Sequence, residues 1–272
     1  MNVILEDILA GNLDRKLIAK DHSELAKTYF IINEIVAKQK RELVELRQSE
    51  KKYKQLVTSL SHDLRTPLAS LMGYLSATQD GIVIGEDREE YLKLSYEKAI
   101  TLKDYIDTLF EWLKLESGER IFHFERIDIC ELSREIMSEW IPQLEQKQIE
   151  YNIEIPEQEI YLILDESSYR RILYNLLQNL LIHSQADKMK LEIHELEEKI
   201  CIILKDNGVG ISQKDLSHIF ERLYKCDSAR NGKGSGLGLA IVNELIKANN
   251  GRIHAESKGE GRAFIVELPR SK

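Results

Sequence analysis

Residues 61–68 read Ser-His-Asp-Leu-Arg-Thr-Pro-Leu, which crowds an imidazole, a carboxylate and a hydroxyl into little more than one helical turn. An imidazole beside a carboxylate is a nucleophile whose ring can be oriented or relieved of its proton. Thr66 lies four residues after His62, so on a helix the two share a face. Pro67 removes a backbone donor and should bend the helix there. Alone, the octet reads equally well as an ordinary surface histidine on a coiled coil. The decision rests on whether the chain also carries something that could deliver a phosphoryl group.

Four later stretches have that character. Asn175 and Asn179 stand one turn apart on a helical pattern. Asp206-Asn-Gly-Val-Gly-Ile211 follows a strand pattern, Phe220-Glu-Arg-Leu-Tyr224 comes next, and Gly232-Lys-Gly-Ser-Gly-Leu-Gly-Leu239 opens the last long helix. Glycines at 234, 236 and 238 let backbone N–H groups approach phosphate oxygens, and a helix start adds partial positive charge. Asp206 offers an acceptor for an exocyclic amine such as that of adenine. Asn179 offers an uncharged oxygen of the kind Mg²⁺ accepts beside phosphates and water. Each has a plainer reading: a turn at Asp-Asn-Gly, surface asparagines, glycines that merely precede a helix. In this order, behind a strand and before a helix, they support one another.

The elements that must position these residues fall into two kinds. Leu25, Ile32, Leu46, Tyr53 and Leu60 occupy one seven-residue track, broken by Gln39; Tyr29, Val36, Leu43, Val57 and Leu64 occupy its neighbour, broken by Glu50. That is the a/d seam of a coiled coil or helical bundle, and it places His62 at f, facing water. A short helix precedes it, stopped at Gly11-Asn12, and Asp21 or Ser23 could cap the long one. Gly81 and Gly85 bracket a turn, and a second helix runs from Asp87 to Ser117-Gly118. An α-hairpin cannot bury both faces alone, so pairing of two as a four-helix bundle is expected, hence a homodimer. After Gly118 the period changes. Strands are expected over 121–125, 149–155, 161–164, 188–195, 199–205, 252–257 and 263–268, with helices over 128–146, 169–183 and 240–249. This is an α/β sandwich with a mixed sheet.

The chain has 272 residues, enough for about two domains of ordinary size. Its 38 basic and 46 acidic side chains leave a net charge of −8, which argues against a nucleic-acid surface. Cys130, Cys201 and Cys226 form no close pair and read as reduced thiols. No apolar run approaches the ~20 residues of a membrane span, and there is no signal peptide.

With these motifs in order, the chain resembles the cytoplasmic part of a bacterial two-component sensor histidine kinase. Residues 61–68 look like its H-box, 175–179 its N-box, 206–211 and 232–239 its two glycine boxes, and 218–224 its F-box. Residues 1–36 resemble the end of a HAMP linker, with Leu13 in its connector. The divisions expected are a HAMP-like remnant and coiled-coil linker over 1–52, a dimerisation and phosphoacceptor domain over 53–118, and an ATP-binding catalytic domain of the histidine-kinase ATPase type over 119–272. Such linkers follow a membrane span, so the sequence is expected to be a cytoplasmic piece of a protein anchored in the cell membrane.

The resemblance implies that His62 accepts the phosphoryl group, that Asp63 orients or deprotonates it, and that Thr66 places a water that dephosphorylates the partner. It implies that Asn179 holds Mg²⁺, with Asn175 and His183 beside it, and that Asp206 binds adenine in a pocket shaped by Gly208 and Gly210. Gly234, Gly236, Leu237 and Gly238 would line the phosphates under a lid over about 212–233. Arg222, with Lys225 or Lys233, would steady the transferring group. The cofactors implied are ATP and Mg²⁺, and the partner is a response regulator's receiver domain. One departure stands out: the family's Lys after the second asparagine is Ile182 here, followed by His183. That motivates an alternative, a weakly active kinase acting mainly as phosphatase or dimeric scaffold. A chaperone-type or mismatch-repair-type ATPase would need an acidic base on the N-box helix, where Tyr174 and Gln178 stand instead.

Overall fold

The structure, a computed structural model, describes residues 2–18, 26–222, 224–226, 236–257 and 261–270, without the side chains of Asn2, Ser49, Lys52, Gln55, Leu56 and His62. Leu25, Asp21 and Ser23, named above for the start of the coiled coil, lie outside the described residues. The chain divides into two compact units, 1–61 and 62–272. In the first, α1 (Asn2–Leu9) precedes a connector that meets α2 (Ala26–Gln79). The side-chain amide of Asn33 both accepts from the Leu17 N–H and donates to the Leu17 carbonyl, each at 2.9 Å. This satisfies both main-chain groups of a residue outside any helix.

In the second unit, α2 continues to Gln79 through Pro67 without interruption. Gly81 and Gly85, at φ of 69° and 61°, turn the chain into α3 (Glu86–Glu116), and both lie in the left-handed region that glycine enters freely. Tyr74 and Tyr91 meet edge-to-face across the hairpin at 5.3 Å. Leu68, Met72, Leu75, Leu92, Tyr96, Ile100, Ile106 and Phe110 remain exposed, leaving an apolar side on the hairpin that the described residues do not cover.

The sandwich begins with β1 (Phe124–Asp128), α4 (Ile129–Gln146), β2 (Glu150–Glu154), β3 (Tyr161–Asp165) and α5 (Glu166–His183). It continues with β4 (Lys188–Glu195), β5 (Lys199–Asp206), the short α6 (Gln213–Leu216), α7 (Gly238–Ala248), β6 (Arg252–Glu256) and β7 (Arg262–Pro269). Five strands form a mixed sheet in the order β2-β4-β5-β7-β6, parallel only between β2 and β4. Alternate residues of β5 and β7, among them Ile200, Ile202, Leu204, Phe264, Val266 and Leu268, are buried, as are the inner faces of α4, α5 and α7. No helix among the described residues is long and apolar enough to cross a membrane.

The sandwich elements stand within a few residues of their expected places, and the three-residue shift of the first strand has a physical cause. That strand was expected over 121–125 and lies at Phe124–Asp128, pairing antiparallel with β3. The reason is Asp128, whose carboxylate accepts from Cys130 N–H and Ile160 N–H and so ends the strand by capping α4.

Asp165 does the same for α5. Burial pushes its carboxyl up, but hydrogen bonds from the Ser168 and Ser167 hydroxyls and from the His123 and Ser168 N–H groups outweigh it and hold the group at about 2, against 3.8 ordinarily. A depressed folded-state value contributes stability at pH above the ordinary value and loses it as pH falls towards the depressed one. Urea midpoints of the wild type should therefore drop between pH 4 and about 2. Asp165→Ala should be less stable at pH 7 by about 0.5–2 kcal/mol, as for other lost caps, with a flatter acid limb. Parallel acid limbs would mean that other carboxylates set the acid sensitivity.

Candidate functional site

The octet lies inside α2, and the side chain of His62 lies outside the described residues. Asp63 is partly buried, and its Oδ2 receives the Lys225 ammonium at 2.6 Å. Thr66 is exposed; its carbonyl takes the Ser70 hydroxyl at 3.1 Å. Lys225 follows α6 in sequence, one residue past the segment resembling an F-box, and its partner Asp63 lies in the segment resembling an H-box.

Arg222 stands close by. It pairs with Glu116 at the end of α3, and its guanidinium lies 4.7 Å over the ring of Trp112, whose Nε1–H donates to the same Glu116 at 3.0 Å. Trp112 is 1% exposed. One turn earlier, Glu111 is gripped by Arg120 at 3.1 Å and by Arg171 of α5 at 2.7 Å. Arg222, expected at the phosphates, is thus held by α3. Glu111, Trp112 and Glu116 were not singled out from the sequence, where they are apolar-track neighbours on an ordinary helix.

The nucleotide motifs converge at the ends of α5, β5 and α7. Asn175 is buried, and its Nδ2 has no hydrogen-bond partner among the described residues. A buried, unmatched amide is costly and points to a polar group that the described residues do not supply. Gly238 opens α7 against it; a Cβ there would come within 4.0 Å of Asn175 Oδ1. Gly236 has φ 69°, and Leu237, fully buried, anchors the turn into α7. Gly234 and Lys233 lie outside the described residues, as does much of the expected lid. The orphaned amide, the room beside Gly238 and the helix start fit a phosphate chain. No cluster of three or more His, Cys, Asp or Glu side chains suited to a metal exists among the described residues.

At the other end, the Asp206 side chain is 3% exposed. Its Oδ1 accepts from Gly208 N–H at 3.0 Å and its Oδ2 from Arg262 Nε–H at 2.9 Å. Gly208 is wedged against the end of α5: a Cβ would lie 2.0 Å from the Ser184 carbonyl oxygen, which instead receives Val209 N–H at 2.9 Å. Gly210 turns with φ 69°. Burial pushes the His183 imidazole below its ordinary range, and the charges of Arg262 and Lys225 push it further, favouring the neutral ring.

Two separate family models match. Residues 52–118 match the His Kinase A (phospho-acceptor) domain, and residues 164–272 match the histidine kinase-, DNA gyrase B- and HSP90-like ATPase. The chain is 32% identical over 259 residues to the sensor histidine kinase YcbM of Bacillus subtilis, covering 93% of this chain and 83% of that one. Other relatives are longer: the chain spans 43% of a second sensor kinase from the same organism. Among solved structures, full-length ShkA in complex with AMPPNP aligns with a TM-score of 0.58 at 25% identity, over 80% of this chain and 46% of that one. The fold also matches ThkA in complex with its response regulator protein TrrA, with a TM-score of 0.66 at 21% identity, over 93% and 68%.

Ile182 bears on the strength of this site. It is 41% exposed and lines a shallow groove of about 360 Å³ with Trp140, Tyr174 and Gln178. At 100° per residue its direction on α5 is only about 20° from that of Asn175. A lysine there is not forced into the core, and its long stem reaches round towards the phosphate end. Ile182→Lys should keep its thermal midpoint and tighten nucleotide binding by about ten- to a hundredfold, the worth of one charge-assisted contact. Calorimetry with Mg-ADP and Mg-AMPPNP tests this; unchanged affinity in a folded variant would mean that another cation already fills the role.

Proposed function

This chain belongs to the sensor histidine kinases of two-component signal transduction, and from that premise we propose that it phosphorylates itself on His62 and passes the group to an aspartate of a response regulator. The observation that carries the reading is the contact between Lys225 and Asp63, 162 residues apart in sequence and 2.6 Å apart in space. It brings the nucleotide-binding sandwich within reach of the acceptor's own neighbour.

In the forward direction one ring nitrogen of His62 attacks the terminal phosphorus of ATP. The N–P bond forms as the bond to the bridging oxygen breaks and ADP departs. Asp63 takes or orients the proton on the other ring nitrogen, which raises the nucleophilicity of the attacking one. Lys225 stands on that carboxylate at rest. Terminal phosphate oxygens compete for the same ammonium, so nucleotide arrival releases Asp63 to the imidazole. Arg222 leaves Glu116 to neutralise charge on the moving group. Asn175 donates to the phosphates through its unmatched Nδ2. Asn179 would hold Mg²⁺, which supplies charge screening of the phosphates when bound. The exposed apolar side of the hairpin supports a homodimer in which two hairpins form a four-helix bundle.

Thr66 supports the reverse activity. A docked regulator meets His62 and Thr66 on one helix face, and removal of its phosphoryl group needs only a water oriented by the Thr66 hydroxyl. The apolar Ile182 favours a second reading, in which kinase output is weak and phosphatase output dominates.

With labelled Mg-ATP the protein should gain an acid-labile, alkali-stable phosphate. His62→Gln should abolish it without changing the oligomeric state, because an f position packs little; label surviving in that variant would sink the assignment. In Thr66→Ala, self-phosphorylation should persist while most hydrolysis of the phosphorylated regulator is lost. Parallel loss of both rates would make Thr66 a structural residue.

A further inference from the structure

Arg262 opens β7 and belongs to no motif of the chain. Its position is set by main chain. Gly261, at φ 90°, donates its N–H to the Gly208 carbonyl at 2.7 Å, and a Cβ there would meet the Asp206 carbonyl oxygen at 2.3 Å. β7 is therefore pressed onto the 206–208 loop with no room for a side chain between them. The Arg262 side chain, 7% exposed, then spans two elements: Nε–H to Asp206 Oδ2 at 2.9 Å and Nη2–H to the Asn179 carbonyl at 3.0 Å. Its guanidinium also lies 5.4 Å over the Phe264 ring. A buried charge is retained only where partners meet it, and a guanidinium's rigid fork can satisfy two at fixed angles.

The consequence falls on Asp206. One oxygen is fixed by its own loop through Gly208, the other by β7 through Arg262. Each oxygen keeps lone-pair capacity, and with both ends tied its direction is set before a ligand arrives. A preorganised acceptor of this kind discriminates strongly, because the wrong partner leaves a buried carboxylate facing another acceptor. Arg262 also links the carboxylate to the main-chain carbonyl of Asn179, so one side chain ties β5 and β7 to α5.

We propose that Arg262 is a positioning residue that sets base specificity, holding Asp206 as a fixed acceptor for a 6-amino purine and against a 6-oxo purine. This rests on the reading above that Asp206 meets the base. The test is the affinity of the whole protein for Mg-ADP and for Mg-inosine diphosphate, by calorimetry, in the wild type, Arg262→Gln and Arg262→Lys. Wild type should prefer ADP by about ten- to a hundredfold. Arg262→Gln should bring the two within about threefold, mainly by loss of ADP affinity, and Arg262→Lys should fall between, since an ammonium lacks the planar fork. Equal weakening of both nucleotides, leaving the ratio intact, would make Arg262 merely structural and overturn the proposal, as would tighter ADP binding in Arg262→Gln. If Arg262→Gln does not fold, Arg262→Lys decides by the same ratio. Equal affinities in the wild type would instead remove Asp206 as the base reader, and the proposal with it; kinase activity on His62 would be unaffected by that result.

Discussion

The clasp at the end of α3 is the interaction on which the second unit depends. Glu111 faces two arginines, Arg120 and Arg171, and Trp112 beside it is almost wholly buried. Exposed ion pairs contribute little because water competes for both charges. These are mostly shielded, and Arg120 also lies 5.3 Å over the Phe122 ring. The clasp holds the sandwich against the hairpin, and only with that orientation held can Lys225 meet Asp63 at all. Arg120 serves twice: it also donates to the Ser167 and Ser168 hydroxyls at the start of α5. The hairpin is thereby tied to the cap of the helix that carries Asn175 and Asn179.

Two kinds of charge relation coexist around that clasp. The pairs on Glu111 and on Asp206 are enclosed, and neither has a reason to open. That of Arg222 with Glu116 is more exposed, while that of Lys225 with Asp63 is shielded about as well as the pairs on Glu111; both use basic residues that a phosphoryl group would attract. A site for an anion with several negative charges needs cations, and cations left bare beside a hairpin rich in carboxylates will find them. The Arg222 contact, open to water on both sides, costs little to exchange, as the proposed change of partner requires.

Much of this was legible from the chain. The heptads predicted a long helix, and the change of period after Gly118 predicted the sandwich, because both signals come from neighbours in sequence. The motif segments announced themselves for the same reason. What was not legible came from pairings at long range. Arg262 meets Asp206 across 56 positions, Arg222 meets Glu116 across 106, and Lys225 meets Asp63 across 162. No local pattern distinguishes Arg262 from any arginine that opens a strand, or Glu116 from any glutamate in a last helical turn. The first strand is shifted for a related reason. Alternation over 121–125 looked right, but the requirement that Asp128 cap α4 fixed where the pairing with β3 had to lie.

The bare apolar side of the hairpin carries a thermodynamic consequence. If a second copy covers it, part of the free energy that keeps each hairpin folded is available only after two chains meet. Folding and association then form one equilibrium, and its midpoint moves with protein concentration. Substitutions at Met72, Leu75 or Ile100 would act as dilution does, shifting the fraction assembled without touching the site that binds nucleotide. Copy number in the cell would then be as much a determinant of competent enzyme as any residue of the active site.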